Sequence, residues 1–460
     1  MSAHRGGEGR VSMVTGKIGI GGMIALAAAA LASTSAAAQG GGAQPVPDIT
    51  HCEKGECIVI GKRTEPSKPG YFNVHLFPEG GVPRKRGSRR KLQPNYFDSI
   101  EEAVAALGYF SADELDYCAP KGRVRSTYEK KTQGCESNKI GRVYVHPGQY
   151  RMRPVVITNY PQSIIFEGAE TDIAPAILMP QTGRCFTVTP RYAQNDDGTD
   201  LVTKVGFKSL IIGWNASAPA GAAEETCIET SRVGLDIENV QFHMNGHKGR
   251  AVHIFNNKAK IKNSEFLSSP FGGAERGAPP LEAGTAIKTE AFANLELTGS
   301  GPTQKTIEGF QTGLDARSSV NVKGAFFSAN YTSVLLRRSE TVSTKTLKKS
   351  SSIDRSLIRV DGGLFDGDSE PAVGVFVSKG YDGDVSLVKT TISAGAFSDV
   401  GTGLFVDDNL AADRTVVIDG QAAVDGAPAS SPSESSAFVN LPIGVDARSS
   451  VSMTGVSFAT

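Results

Sequence analysis

The segments GRAVHIFNNKAKIKNSEF (249–266), GTAIKTEAFANLELTG (284–299), GVFVSKGYDGDVSLVKTTI (374–392) and GLFVDDNLAADRTVVIDG (403–420) share one plan. Each opens on a glycine, alternates apolar and polar residues through a short strand, turns over polar residues, and alternates again. Alternation with period two marks a strand with one buried face, and these runs are too short for helices. The plan also begins at Gly313 and Gly444, where TGLDARSSV (312–320) recurs as IGVDARSSV (443–451). The spacing is 29 residues from Gly284 to Gly313 and 29 again from Gly374 to Gly403. The 61 residues from Gly313 to Gly374 leave room for two units, with Ser333-Val334-Leu335-Leu336 as the extra strand. A repeat of this size predicts a stacked solenoid. A propeller would need longer blades with Trp or Gly-His signatures, and leucine-rich repeats would need L-x-x-L-x-L rows. The expected fold is all-β, a parallel β-helix.

Upstream lie further short β-branched or aromatic runs bounded by Gly, Pro or Asn: RVYVHPGQY (142–150), PVVI (154–157) and SIIFEG (163–168). Before them FDSIEEAVAAL (97–107) reads as a helix, with Ser99 and Glu102 at capping-box spacing and Ile100, Ala103, Val104 and Leu107 on one face. A helix burying one face at the open end of a solenoid would shield its first rung.

The order SIEEAVAAL, VYVHPGQYR, PVVI, IIFEGAE (99–170) resembles the opening of pectin methylesterases and of the wider pectin-lyase-like superfamily. The resemblance implies a right-handed parallel β-helix with an N-terminal capping helix and a V-x-P-G-x-Y turn after the first strand. It also implies active residues at outward strand positions, aligned about 4.8 Å apart from coil to coil, with a polysaccharide along the groove. The methylesterase chemistry itself is not expected. Arg250 stands where that family has the Gln of its oxyanion site, Ser269-Pro270-Phe271-Gly272 replaces Q-D-T-L, and no G-x-V-D-F-I-F-G run occurs. Faint echoes of polygalacturonase motifs at 195–198, 246–249 and 260–262 have the wrong spacing and read as coincidence.

At the N-terminus Arg5, Arg10 and Lys17 flank the apolar run Ile18 to Ala32, and Ala36-Ala37-Ala38 precedes Gln39. The run is too short for the ~20 residues of a bilayer span, so residues 1–38 read as a secretory signal peptide. The expected divisions are then 39–137, an irregular disulfide-containing region with the capping helix, and 138–460, the β-helix. Six cysteines follow the signal: Cys52, Cys57, Cys118, Cys135, Cys185 and Cys227. An even number in an exported chain predicts disulfides, with 15 connectivities open. Proximity in sequence suggests Cys52–Cys57, Cys118–Cys135 and Cys185–Cys227, and none forms the C-x-x-C pair of a zinc site. The expected location is secreted or periplasmic, associated with the cell surface or free of it, with no membrane span after signal cleavage.

Lys plus Arg and Asp plus Glu each number 48, so net charge favours neither nucleic acid nor membrane. The run Arg84-Lys85-Arg86-Gly87-Ser88-Arg89-Arg90-Lys91 suits an acidic polysaccharide in an exported protein, or a solvated linker. Asp315 and Arg317, echoed by Asp446 and Arg448, could present carboxylate and guanidinium side by side; the competing reading is a structural device repeated on each coil. Asp315, Arg317 and Arg250 are the candidate catalytic residues. Asp196, Asp197 and Asp200 are candidate Ca2+ ligands against a solvated turn, because calcium wants six to eight oxygens and no D-x-D-x-D-G loop is present. No other cofactor is implied. His243, His247 and His253 are close in sequence, but on strand and turn rather than helix, and read as surface or turn residues. The leading functional expectation is a monomer that binds, and could cleave, an acidic polysaccharide by lyase or hydrolase chemistry. The rival is a non-catalytic surface scaffold or adhesin.

Overall fold

The computed structural model describes residues 48–53, 56–60, 71–78, 96–104, 140–158, 163–169, 175–189, 204–214, 225–255, 257–269, 283–290, 292–301, 303–338, 349–360, 372–394, 401–408, 415–419 and 436–459. Apart from one antiparallel pair, Asp48–Glu53 with Glu56–Ile60, its strands form three parallel sheets of 13, 11 and 10 strands. From Ile140 onward every third strand belongs to the same sheet. The chain therefore winds first sheet, second sheet, third sheet, and begins the next coil: a parallel β-helix, as the glycine-led plan predicts. The plan glycines all fall at or within third-sheet strands, including Arg250–Phe255, Ala283–Thr289 and Phe310–Ala316. The extra strand is Thr332–Leu336, paired between Phe310–Ala316 and Ala372–Val377.

Strict register carries one inward side chain of each coil onto the next. In the first sheet Phe166, Phe207, Ile237, Ile261, Leu297 and Val322 form one such column. In the second sheet Ile212, Phe242, Phe266, Ile307 and Phe327 form another. All are buried in one continuous core, and burying each such side chain is worth about 1.5–3 kcal/mol. The described start of the predicted helix, 100–104, places Ile100, Ala103 and Val104 in that core beside Val74 and Leu76. Ser99 Oγ accepts from the Glu102 amide at 3.3 Å, as an N-cap should. Leu107 lies outside the described residues. Within the stretch read as irregular, Tyr71–Leu76 is a full strand of the first sheet, hydrogen-bonded to Ile140–Val145.

The V-x-P-G-x-Y turn is tied by Tyr150, whose hydroxyl donates to the His146 carbonyl at 2.6 Å with the Leu76 carbonyl at 3.0 Å. Gly148 sits at φ 145°, and a Cβ there would meet Pro78 at 2.4 Å.

Between the first and second sheets many coils turn through one left-handed residue: Ser209, Asn239, Asn263, Gly324, Arg355 and Lys389 have φ between 47° and 58°. Each donates its N–H to a carbonyl of the next coil, for example Asn239 to Lys262 at 3.1 Å. The residue after it points inward, and in several coils it is hydroxylated. Ser264 Oγ accepts the Val240 amide (3.2 Å) and donates to the Lys262 carbonyl (2.8 Å). Ser356 does the same for Ala325 and Asp354, and Ser436 for Thr390 and Asp419. Corner amides that would otherwise be orphaned in the core are thus satisfied by a hydroxyl ladder.

Cys185 and Cys227 form a disulfide between adjacent third-sheet coils. Cys52 and Cys57 oppose each other in the antiparallel pair, while Cys118 and Cys135 lie outside the described residues, as do 1–38, the basic run at 84–91 and Asp196, Asp197 and Asp200. No helix among the described residues is long and apolar enough to cross a membrane.

Candidate functional site

Because side chains alternate along a strand, the centre of each third-sheet strand contributes one outward residue, and register aligns these into a row. From coil to coil the row reads Glu229, His253, Lys288, Asp315, Leu335, Phe376, Phe405 and Asp446. Two residues further along each strand a neighbouring row contains Glu290, Arg317 and Arg337. Charged residues of the two rows meet over the coils of His253, Lys288 and Asp315.

Glu290 is the hub. Its Oε1 receives Lys288 Nζ at 2.9 Å and lies 3.4 Å from His253 Nε2, while Oε2 faces Arg317 Nη1 at 3.5 Å. Beside them Asp315, 3% exposed, is gripped by both Nε (2.7 Å) and Nη2 of Arg337, the bidentate geometry that suits guanidinium to carboxylate. Arg250 stands at the start of its strand, where its amide donates to the Glu225 carbonyl at 2.8 Å. The sequence candidates therefore lie on two third-sheet coils, Arg250 on one and Asp315 and Arg317 together on another, with the Lys288 coil between them. Asp315 and Arg317 do not pair with each other: Asp315 is bound to Arg337 and Arg317 to Glu290.

Electrostatics follow from the packing. Burial pushes the Glu290 carboxyl up, but hydrogen bonds from His253 and Lys288, with the charges of Lys288 and Arg317, outweigh it and hold the pKa at about 2. Burial lowers the His253 pKa and the charges of Lys288 and Arg250 lower it further, against the opposing pull of Glu290. His253 is thus kept neutral beside an ionised carboxylate. On the coils of Glu229 through Leu335, the two rows and Arg250 beside them set Arg250, Lys288, Arg317 and Arg337 against Glu229, Glu290 and Asp315, four cations to three anions, a surplus of one positive charge.

His253 is buried in this cluster rather than a surface residue, and His247 is also buried, at 1% exposure. His247 Nδ1 accepts the Gly249 amide at 2.8 Å, its Nε2 lies 3.6 Å from Glu225 Oε2, and that carboxylate accepts the Gly183 amide at 3.0 Å. A Cβ at Gly183 would meet both side chains at 2.1 Å. This group braces the corner from which Arg250 emerges.

Sequence reasoning passed over Lys288, Glu290 and Arg337. The signal for Lys288 was present: aligning Val252-His253-Ile254, Ile287-Lys288-Thr289 and Leu314-Asp315-Ala316 within the shared plan puts the three middle residues in one row. Nor is the Asp–Arg repeat present on each coil. Leu335, Phe376 and Phe405 occupy the rungs between Asp315 and Asp446.

No family model matches the chain and no curated protein matches it. Among solved structures, DFA-IIIase from Arthrobacter chlorophenolicus A6, in complex with GF2, aligns over 69% of this chain and 90% of that chain, at 12% identity and a TM-score of 0.23. A resemblance of that size bears on neither site nor substrate.

Proposed function

We propose that the protein is an exported β-helix that binds an anionic polysaccharide along the outward face of its third sheet, in a secreted or periplasmic setting. The observation that carries this reading is the cationic surplus around Glu290 and Asp315 on one face of a solenoid whose coil spacing is close to the length of a sugar residue. The uronate carboxylates would be received by Lys288, Arg317 and Arg250, and the Cys185–Cys227 disulfide fits an oxidising compartment.

If the chain also cleaves its ligand, the cluster favours elimination over hydrolysis. A glycosidase needs one carboxyl kept protonated to act as general acid, and Glu290, ionised down to about pH 2, is unfit for that role. A neutral imidazole fixed by a carboxylate is fit to accept a proton. His253 would take the proton alpha to a uronate carboxylate whose charge Lys288 and Arg317 offset. The electrons left behind form a carbon–carbon double bond as the bond to the leaving glycosidic oxygen breaks, and that oxygen takes a proton from solvent.

The test is binding and product analysis with polygalacturonate, alginate and a neutral glucan. Binding of the acidic polymers alone is expected, weakening with salt because ions screen the attraction between a polyanion and a cationic face as the two approach through water, and lost in a Lys288→Ala/Arg317→Ala variant. Unsaturated uronate products that disappear in His253→Ala identify a lyase. The bidentate Asp315–Arg337 pair favours the rival reading, a scaffold whose charges neutralise one another. That reading takes over if no glycan binds at any ionic strength.

A further inference from the structure

Beyond the charged coils, the same outward row changes chemistry. Leu335 is followed by Phe376 and Phe405, both half-buried, with ring centroids 5.0 Å apart at 79°. The Arg448 guanidinium lies 5.1 Å from the Phe405 centroid and 4.0 Å from Asp407 Oδ1, so one side of that ring is already covered. Two aromatic rings on consecutive outward rungs are not the general habit of this solenoid. The outward row of the first sheet reads Asp236, Lys260, Glu296, Asn321, Ser352 and Ser386 before reaching Val417.

We infer that the Phe376–Phe405 pair is a second carbohydrate subsite, in which one of the two near-perpendicular rings stacks on the apolar face of a sugar ring and the other buttresses it, the sugar belonging to the same glycan chain held by the charged cluster. The inference rests on the anionic-polysaccharide reading above and adds a length requirement to it. From His253 the row reaches Phe405 in five coil steps, through Lys288, Asp315, Leu335 and Phe376. At about 4.8 Å per step that is roughly 24 Å, too long for a disaccharide. Pockets for sugars and other small ligands combine apolar or aromatic walls with a few placed polar groups, and here the two parts are separated along one axis. Charge would fix the acidic residues at one end, and ring stacking, which is insensitive to salt, would hold the other.

The experiment is titration of the full chain with the disaccharide and the octasaccharide of galacturonate at low and high salt. The octasaccharide should bind at least tenfold tighter, an increment of about 1.4 kcal/mol, and that ratio should persist at high salt while both affinities fall. In a Phe376→Ala/Phe405→Ala variant the ratio should collapse with disaccharide affinity unchanged. The Phe376→Tyr/Phe405→Tyr variant, which keeps both rings, should retain it. A double-alanine variant that keeps the full length dependence overturns the subsite while leaving the charged cluster intact. If neither oligosaccharide binds the wild type, the polysaccharide reading fails and the subsite fails with it.

Discussion

Replacing Glu290 by Gln keeps the shape of the hub and removes its charge. Lys288 and Arg317, whose side chains are 12% and 8% exposed, then lose the carboxylate charge that sits between them. Two routes give the cost. A carboxyl lowered from 4.5 to about 2 reports on the order of 3 kcal/mol of preferential stabilisation of the ionised form. Removing one partner of a buried ion pair characteristically costs 3–5 kcal/mol. We expect Glu290→Gln to lose about 3 kcal/mol at pH 7, read from urea unfolding as a lower midpoint with unchanged slope. The pH dependence makes the test specific. Because the folded-state pKa is depressed, the carboxylate contributes fully above about pH 4.5 and its contribution is lost as pH falls through about 2. The gap between wild type and variant should therefore shrink to under half near pH 3. A loss below about 1 kcal/mol at pH 7, or a gap as wide at pH 3 as at pH 7, would refute the assignment of Glu290 as the charge hub.

Asp315→Asn should cost about 1–2 kcal/mol, because Asp315 is buried but Arg337, whose side chain is 37% exposed, can turn to water once its charged partner is gone; equilibrium unfolding checks this, and near-neutrality would mean that the pair is fully solvent-screened. Ser264→Ala should cost about 1–3 kcal/mol by leaving the Val240 amide buried and unpaired, and Ser264→Thr should recover most of it, since Thr390 occupies the equivalent position in its coil. Rescue failing in the threonine variant would point to packing rather than to the hydroxyl. A Cys185→Ser/Cys227→Ser variant should lose about 4 kcal/mol, the loop-closure value for a sequence separation of 42, and peptide mapping of the native protein should recover this bridge intact. Unchanged unfolding in that double variant would show that the bridge adds nothing to stability.

The fold was legible because stacking forces a repeated physical demand onto the sequence. The glycine-led third-sheet strands need close backbone approach near their start, and a Cβ at Gly403 would meet the Gly444 carbonyl at 2.6 Å, as one at Gly374 would meet that of Gly403. Those glycines, with the alternation after them, were enough to place the coils. The left-handed corner was much harder to see, since Ser209, Asn263, Arg355 and Lys389 fill it with no shared residue type: a backbone hydrogen bond holds each one there. Of the candidate site, Asp315, Arg317 and Arg250 could be named, but their partners could not. Glu290 is 27 residues from Arg317, and Arg337 is 22 from Asp315. The coils vary in length, so no fixed offset marks the neighbours.

The separation of inward and outward columns has an evolutionary consequence. An outward residue at the centre of a third-sheet strand has one neighbour above and one below in its row, and exchanging it leaves the inward stack unchanged. The face can be rewritten one rung at a time, as a text is edited letter by letter, with each edit tested against its row neighbours and against the adjoining row. A new ligand can be acquired by gradual drift along the axis, extending from coils that already bind, while the body of the protein stays folded throughout.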